Sequence, residues 1–442
     1  MPVTQGLKNS LNRIRELSSE IYHQYIPIID DDTDIGSFGN PILTVPAVQN
    51  EFMSQLINRI VYTQFEIKYF RNPLQMLEGD RIPLGYAGQE IFVNPAKGRK
   101  FNVEDFAGLL QKYEADVKVQ YLTVNMDLQY PVTVSRHKLK QAFVSWEALD
   151  TFIDELSNSL YNGAYIDEYM FTKELVAGAY KGNNAIIEKV NALTTEELAK
   201  EFITKARTYF LNFQTPSEKY NAWAKLGGEG RPIKTWTNPE DIVFLIRNDV
   251  RSYLDVNVLA SAFNISSTDL LGRILPVDNF DIYDDEGKLI FNGSSIIGMI
   301  ADKSWFKIKR QDMFLDEFYN ANNRTWQYYL NLTKMYQYSL FANGVIFATE
   351  IPQIAITGLD YNNTPSISIA VNETEGLDIN VTPVNANTPA ITYELSSSEH
   401  VELITDDNNN RHVTVKGLSV GNATLTAKAG NVTTSIEITV TA

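Results

Sequence analysis

The chain has 442 residues, 44% of them hydrophobic, a formal net charge of −16 and no cysteine. Disulfides and thiolate metal sites are thereby excluded, and since one core rarely outgrows ~250–300 residues, two or three domains are expected. So large an acidic excess argues against nucleic-acid binding, which needs clustered Lys and Arg, and suits a crowded soluble protein or a surface beside DNA that must not adhere to it.

Residues 4–25 read as one amphipathic helix with Leu7, Leu11, Ile14, Leu17 and Ile21 on one face. The acidic, turn-rich stretch 30–41 reads as a linker between that helix and the body. Two fates are open to a helix so placed: docking on another molecule, or packing back onto its own core. Val48 to Tyr69 is a second helical segment carrying Phe52, Leu56, Ile60 and Tyr62, and Asn72-Pro73 ends it.

From Arg81 the pattern turns extended, with a short helical piece around Phe106–Leu110 and then close alternation from Val117 to Val134. Residues 81–134 read as a long two-stranded excursion with an insertion at its tip. A lone hairpin is marginally stable and its edges invite pairing, so a neighbouring molecule is expected to cover it. Lys97, Arg99 and Lys100 form a small basic cluster at its far end. That cluster is either a solvated loop or a charge contact to a neighbour.

The longest helical stretch is Ser145 to Tyr180. Ser145 suits an N-cap, and Glu147 and Asp150 lie where the positive helix end favours carboxylates. Trp146, Leu149, Ile153, Leu156 and Leu160 recur at steps of three and four, with Phe152 widening the stripe. Asp150, Asp154 and Glu155 lie off it and form an acidic face, the expected partner of the basic cluster on another copy. With only a bend at Asn162-Gly163, such a helix would run about 50 Å at ~1.5 Å per residue and serve as a spine.

Residues 185–310 read as a compact α/β region. Thr194 to Glu197 resembles a capped helix start, and Ile242 to Ile246 a buried central strand. A helix is expected over Val250–Phe263, and a hairpin over 280–291 turned at Asp285-Glu286-Gly287. Asp278, Asp281, Asp284 and Asp285 miss the calcium-loop spacing and belong to that turn. Gly227-Gly228-Glu229-Gly230 lacks the Lys and Ser/Thr of a phosphate loop and reads as a flexible loop. Trp326 to Phe347 reads as one long strand returning to the body, its alternating Trp326, Tyr328, Leu330 and Leu332 directed into the core.

Composition shifts at Ile351-Pro352. Beyond it only Tyr361 and Tyr393 are aromatic, and seven short alternating runs follow one another from Ile367 to Val440. That is the pattern of an immunoglobulin-like sandwich, without the cysteine–tryptophan–cysteine set of antibody domains. Gly417-Leu418 with Val420 to Ala427 resembles the bacterial Ig-like group 2 modules. A Pro-marked hinge and a core of its own suggest a detachable, outward module.

No constellation for chemistry stands out. His23, His137, His400 and His412 are scattered, so no cofactor or metal is expected. No apolar run approaches ~18 residues and Met1 to Asn9 does not read as a signal peptide, so neither membrane nor export is expected. A glycosidase reading fails because nothing singles out one carboxylate pair. A bacterial cell-surface adhesin or binding protein, suggested by the Ig-like module, is the alternative.

The body resembles the major capsid protein of small, short-tailed Picovirinae-like phages of Gram-positive bacteria. The resemblance is carried by AVQNEFMSQLINRI (47–60), IPLG (82–85), LKQAFVSWEALDTFIDEL (139–156), YNGAYIDEYMF (161–171), the stretch 254–272, ADKSWF (301–306) and the tail 326–349. It implies an α+β Hong Kong-97-like capsid fold in a core at 51–350, followed by an all-β Ig-like sandwich at 352–442. Residues 1–50 would be the N-arm, 81–134 the E-loop that lies across an adjacent subunit and 145–180 the spine helix. About 185–310 would be the axial domain and 326–348 the return strand, which with the spine belongs to the peripheral domain. It further implies a non-enzymatic virion protein, assembled in the host cytoplasm as hexamers and pentamers around double-stranded DNA in an icosahedral or prolate shell. A separate scaffolding protein and a portal protein are the implied partners. No lysine–asparagine crosslink is carried over, because nothing places Lys97, Lys100 or Lys112 opposite a particular Asn.

Overall fold

The computed structural model describes residues 3–62, 70–83, 88–98, 112, 114–226, 232–253, 273–284, 286–361, 364–405 and 411–442. Outside them lie Arg99 and Lys100, the helical piece at Phe106–Leu110, the Gly227 to Gly230 loop, most of the helix expected at 250–263, the stretch 254–272 and Asp285. The chain forms two compact units, one of 1–90, 121–173 and 306–338, the other of 91–120, 174–305 and 339–442. Both mix helix and sheet.

In the first unit the N-terminal helix is two helices, α1 (Gln5–Leu17) and α2 (Glu20–Tyr25). Ser19 breaks it: its hydroxyl caps α2 at Tyr22 N, while its own N–H and hydroxyl both donate to the Glu51 carboxylate. The break re-phases the stripe. Leu7, Leu11 and Ile14 are buried as expected, but Leu17 and Ile21 are 57% and 53% exposed, and Tyr22 and Ile26 take their place inside. The helices pack back onto the unit's own core, in one cluster with Phe38, Phe52, Leu56, Leu149 and Tyr328. Each large apolar side chain fully buried there contributes ~1.5–3 kcal/mol towards holding the two short helices on the core.

The stretch 30–41 is not a linker. Asp34 accepts from Gly36 N and caps α3 (Ile35–Thr44), which buries Phe38 and Ile42. Next come α4 (Pro46–Tyr62) and, further on, β3 (Met126–Ser135). The three-stranded sheet of this unit runs in the order β10 (Phe306–Asn320), β11 (Thr325–Tyr338), β3, antiparallel throughout. The last part of the expected excursion thus belongs to the body: Leu128 pairs with Leu332 and Val134 with Trp326.

The spine helix is capped as expected, with Ser145 Oγ accepting from Ala148 N at 3.1 Å. α6 (Trp146–Ser157) passes through a π-helical turn at Asn158–Asn162 into α7 (Gly163–Lys181), so the bend precedes Gly163.

In the second unit a five-stranded sheet has the order β4 (Ile186–Lys189), β12 (Gly344–Ala348), β9 (Ile296–Asp302), β5 (Ile242–Arg247), β6 (Ile274–Val277). β5 is the expected interior strand, buried from Ile242 to Ile246. α8 (Glu196–Phe213), capped by Thr195 Oγ1, lays Phe202, Ala206 and Phe210 on this sheet against Phe244 and Phe347. Because β12 lies inside the sheet, the region extends to Ala348, and the single return strand becomes two strands, β11 and β12, in different sheets. The hairpin β7 (Ile282–Tyr283) and β8 (Leu289–Phe291) forms where expected, its turn held by Asp284 Oδ1 accepting from Glu286 N and Lys288 N.

Beyond Pro352 every described regular element is a strand. One sheet has the order β14 (Ser366–Ala370), β21 (Val432–Thr441), β20 (Gly421–Ala429), β17 (Thr392–Leu395). Another has β15 (Thr374–Asp378), β19 (His412–Gly417), β18 (Val401–Thr405), and β13 (Gly358–Asp360) pairs with β16 (Asn380–Thr382). One of the seven expected runs, Leu377 to Val381, is split between β15 and β16. The sheets share one core around Ile369, Val413, Leu425 and Ile438.

Candidate assembly surfaces

Strand β1 (Gly88–Val93) pairs with β2 (Val117–Leu122) in a sheet of two strands. Strand alternation gives this hairpin an inner and an outer face. Inward, Phe92 meets Phe341 at 5.9 Å between ring centroids, Lys118 Nζ lies 6.0 Å from the Trp223 ring centroid, and Gln120 Oε1 accepts from Leu340 N. Asn94 fastens the far end of the strand pair, donating to Asp116 Oδ2 and Pro232 O and accepting from Lys234 N. The expectation of a free-standing excursion is therefore corrected, since one side rests on the chain's own body. The other side is bare: Ile91, Val93 and Val117 are 59%, 53% and 47% exposed. Three neighbouring β-branched side chains in water, on a two-stranded sheet, make a surface that burial against another molecule would stabilise.

Lys97 is exposed in the loop that follows β1. On α6, Asp150 and Asp154 lie one turn apart on one flank of the stripe of Leu149, Ile153 and Leu156, and Glu155 lies on the other flank. Partial burial raises the Asp150 carboxyl above its usual range, and burial together with the Asp150 charge raises that of Asp154. Glu155 is more open and lies 4.0 Å from Lys138 Nζ. Of the three expected acids, Asp150 and Asp154 thus act on each other, and the repulsion that raises Asp154 is the kind an approaching cation relieves.

One charged site escaped the sequence reading. Lys334, 1% exposed, places Nζ against Glu168 Oε1 and 3.2 Å from Glu78 Oε1, with Arg310 Nε 3.7 Å from the same Glu78 oxygen. Burial raises the Glu168 carboxyl, and the Lys334 charge opposes that shift. The signal lay in strand parity: Lys334 continues the inward row of Trp326, Tyr328, Leu330 and Leu332, a position where a lysine needs a partner. The cluster ties the segment at Glu78, helix α7 and strands β10 and β11 together within the first unit.

A sheeted body and a hairpin bare on one side suit a subunit completed by its copies. The structure is similar to the capsid structure of Staphylococcus phage Andhra, with a TM-score of 0.53 at 14% identity over 65% of this chain and 87% of that one. The fold is that of the Hong Kong-97-like phage capsid proteins.

Residues 11–348 match the family model of the Phi29-like phage major capsid protein, and the chain belongs to that family. It is similar to the major capsid protein of Bacillus phage B103, 28% identical over 350 residues that make up 78% of this chain and 74% of the relative. It is likewise similar to that of Streptococcus phage Cp-1, 26% identical over 75% of this chain and 92% of the relative. It is a major capsid protein and a component of the virion. The adhesin alternative draws no support from these relatives.

Proposed function

We propose that copies of this chain close as hexamers and pentamers into an icosahedral or prolate shell around double-stranded DNA, assembled in the host cytoplasm with a separate scaffolding protein and a portal. The observation that carries this reading is the bare outer face of the β1–β2 hairpin. In it, 1–50 acts as N-arm, the hairpin between residues 88 and 122 as the E-loop laid across an adjacent subunit, and the α6–α7 helix as spine. The five-stranded sheet and α8 form the axial domain. Heterologous contacts close a shell when their rotations allow, and each can be weak because many are made at once.

Lys97, Arg99 and Lys100 of one copy would meet Asp150, Asp154 and Glu155 of the next. The net charge of −16 favours a lumen along which DNA slides without sticking. The region beyond Pro352 is read as an Ig-like group 2 domain facing outward; its paired sheets over one core and the tight turn at Gly417 to Gly421 support this. A side chain at Gly417 would collide with Ala370 O, and one at Gly421 with the His400 ring. Electron microscopy of the full chain, co-produced with its scaffolding protein, tests the proposal. Closed megadalton shells are expected, and a preparation holding monomers alone would refute it.

A further inference from the structure

The connection from the five-stranded region to the C-terminal β domain contains Ile351-Pro352, which in sequence looks like a swivel. Its hydrogen bonds say otherwise. Tyr180 Oη donates to Glu350 O at 2.7 Å. The Asn387 carboxamide then holds both sides of the connection, donating to Pro352 O and accepting from Ile354 N, each at 2.8 Å. Asn387 N and Thr388 N both donate to Ile354 O, and Ile356 N donates to Thr388 O. From Glu350 to Ile356 the chain is therefore fastened rather than loose.

Two residues earlier, Asn385 reaches in the other direction, into the turn that ends α7. Its Nδ2 donates to Gly182 O and to Asn184 Oδ1, while Asn183 Nδ2 donates to Asn385 O at 2.8 Å. Asn183, two residues past the end of α7, is left-handed (φ 52°). Lys225 Nζ locks that turn from behind, donating to Asn183 Oδ1 at 2.5 Å and Ala185 O at 2.8 Å. On the far side Arg411 donates to Val384 O and Ala386 O, the carbonyls that flank Asn385, and so braces the projecting loop. Three hydrogen bonds to one asparagine, with Lys225 and Arg411 bracing the segments on either side, mean that little order has to be gained when the domains meet.

We propose that the segment 383–388 is a clasp that fixes the C-terminal β domain in one orientation on the α/β region, so that the two move as a single piece. The proposal holds whether or not that domain is of the Ig-like group 2 kind. It excludes the swivelling, detachable module that the composition break suggests. Charge supports it as well: burial, then the Arg411 charge, lowers the Lys225 amine to about 8, as expected of a lysine shut into a closed joint.

The chain has no native cysteine, so two labels can be placed cleanly. Glu197→Cys at the start of α8 and Thr433→Cys on β21, both exposed, carry spin labels in the full chain. Pulsed electron spin resonance should give one narrow distance, replaced by a broad distribution on adding Asn385→Ala. Should Asn385→Ala fail to fold, Lys225→Met carries the same expectation. A broad distribution in the parent, or a distance still narrow in the variant that folds, overturns the clasp.

Discussion

Lys334 and Glu78 stand 3.2 Å apart at the centre of the first unit, in a cluster where Glu168 makes a second carboxylate for one buried ammonium. Removing the lysine strands both acids. Lys334→Ala should destabilise the chain by about 3–5 kcal/mol, the usual cost of breaking a buried pair on one side. Denaturant unfolding of the purified chain measures it, and a loss near that of a surface substitution would show that the acids find other partners.

The outer face of the hairpin should matter to assembly and not to folding. Val117→Asp with Ile91→Asp puts charge on side chains already in water, so circular dichroism of the subunit should not change. Particles seen by sedimentation should be lost, because burying an unpaired carboxylate in a subunit contact is costly.

The charge contact is tested by reversal. Changing Lys97, Arg99 and Lys100 together to Glu should slow or abolish particle formation at low salt, and further reversal of Asp150, Asp154 and Glu155 to Lys should restore it. The difference should fade as salt shortens the Debye length below ~10 Å. Unchanged assembly of the triple variant at low salt rules the contact out.

Lys225 sets a pH dependence. In the unfolded chain its amine keeps the proton up to its usual range near 10.5, whereas in the folded chain it releases it at about 8. Between those values folding releases a proton, so this residue's contribution improves as pH rises from 8 towards 10.5 and is flat below 8. Lys225→Met should remove that slope from unfolding midpoints taken across the window. A difference between variant and parent that stays constant with pH would contradict it.

Deleting 352–442 should leave shell formation intact, because among the described residues each strand of that region pairs only with others of the same region. Micrographs of the truncated chain decide this. The deletion should also uncover the Gly182 to Ala185 turn, and amide exchange of Asn184, whose N–H donates to Ala179 O, should quicken as the turn loses the Asn385 amide from Gly182 O and Asn184 Oδ1.

How much of this was legible depended on how local the cause was. Ser145, Thr195 and the apolar steps of α6 act within four residues, and the helices begin where these caps place them. The stripe from Leu7 to Ile21 misled because the break at Ser19 is enforced by Glu51, 32 residues away. Asp34 looked like linker composition and is a cap, one residue serving either role. Nothing local told Met126–Ser135 from the hairpin it follows, since both alternate, and its partner lies some 200 residues on in β11. Of the candidate surfaces, the positions of Asp150 and Asp154 off the apolar stripe of α6 could be read from spacing. The buried lysine needed strand parity taken two residues further, and the bare face of β1–β2 needed the positions of Phe341 and Trp223.

The clasp at 383–388 has a consequence for imaging. A domain on a slack tether blurs away when thousands of copies are averaged under lattice symmetry, leaving stubs on the map. Held through Asn385 and Asn387, each C-terminal domain would keep the same bearing on the five-stranded region, and a reconstruction should resolve its strands as sharply as that sheet.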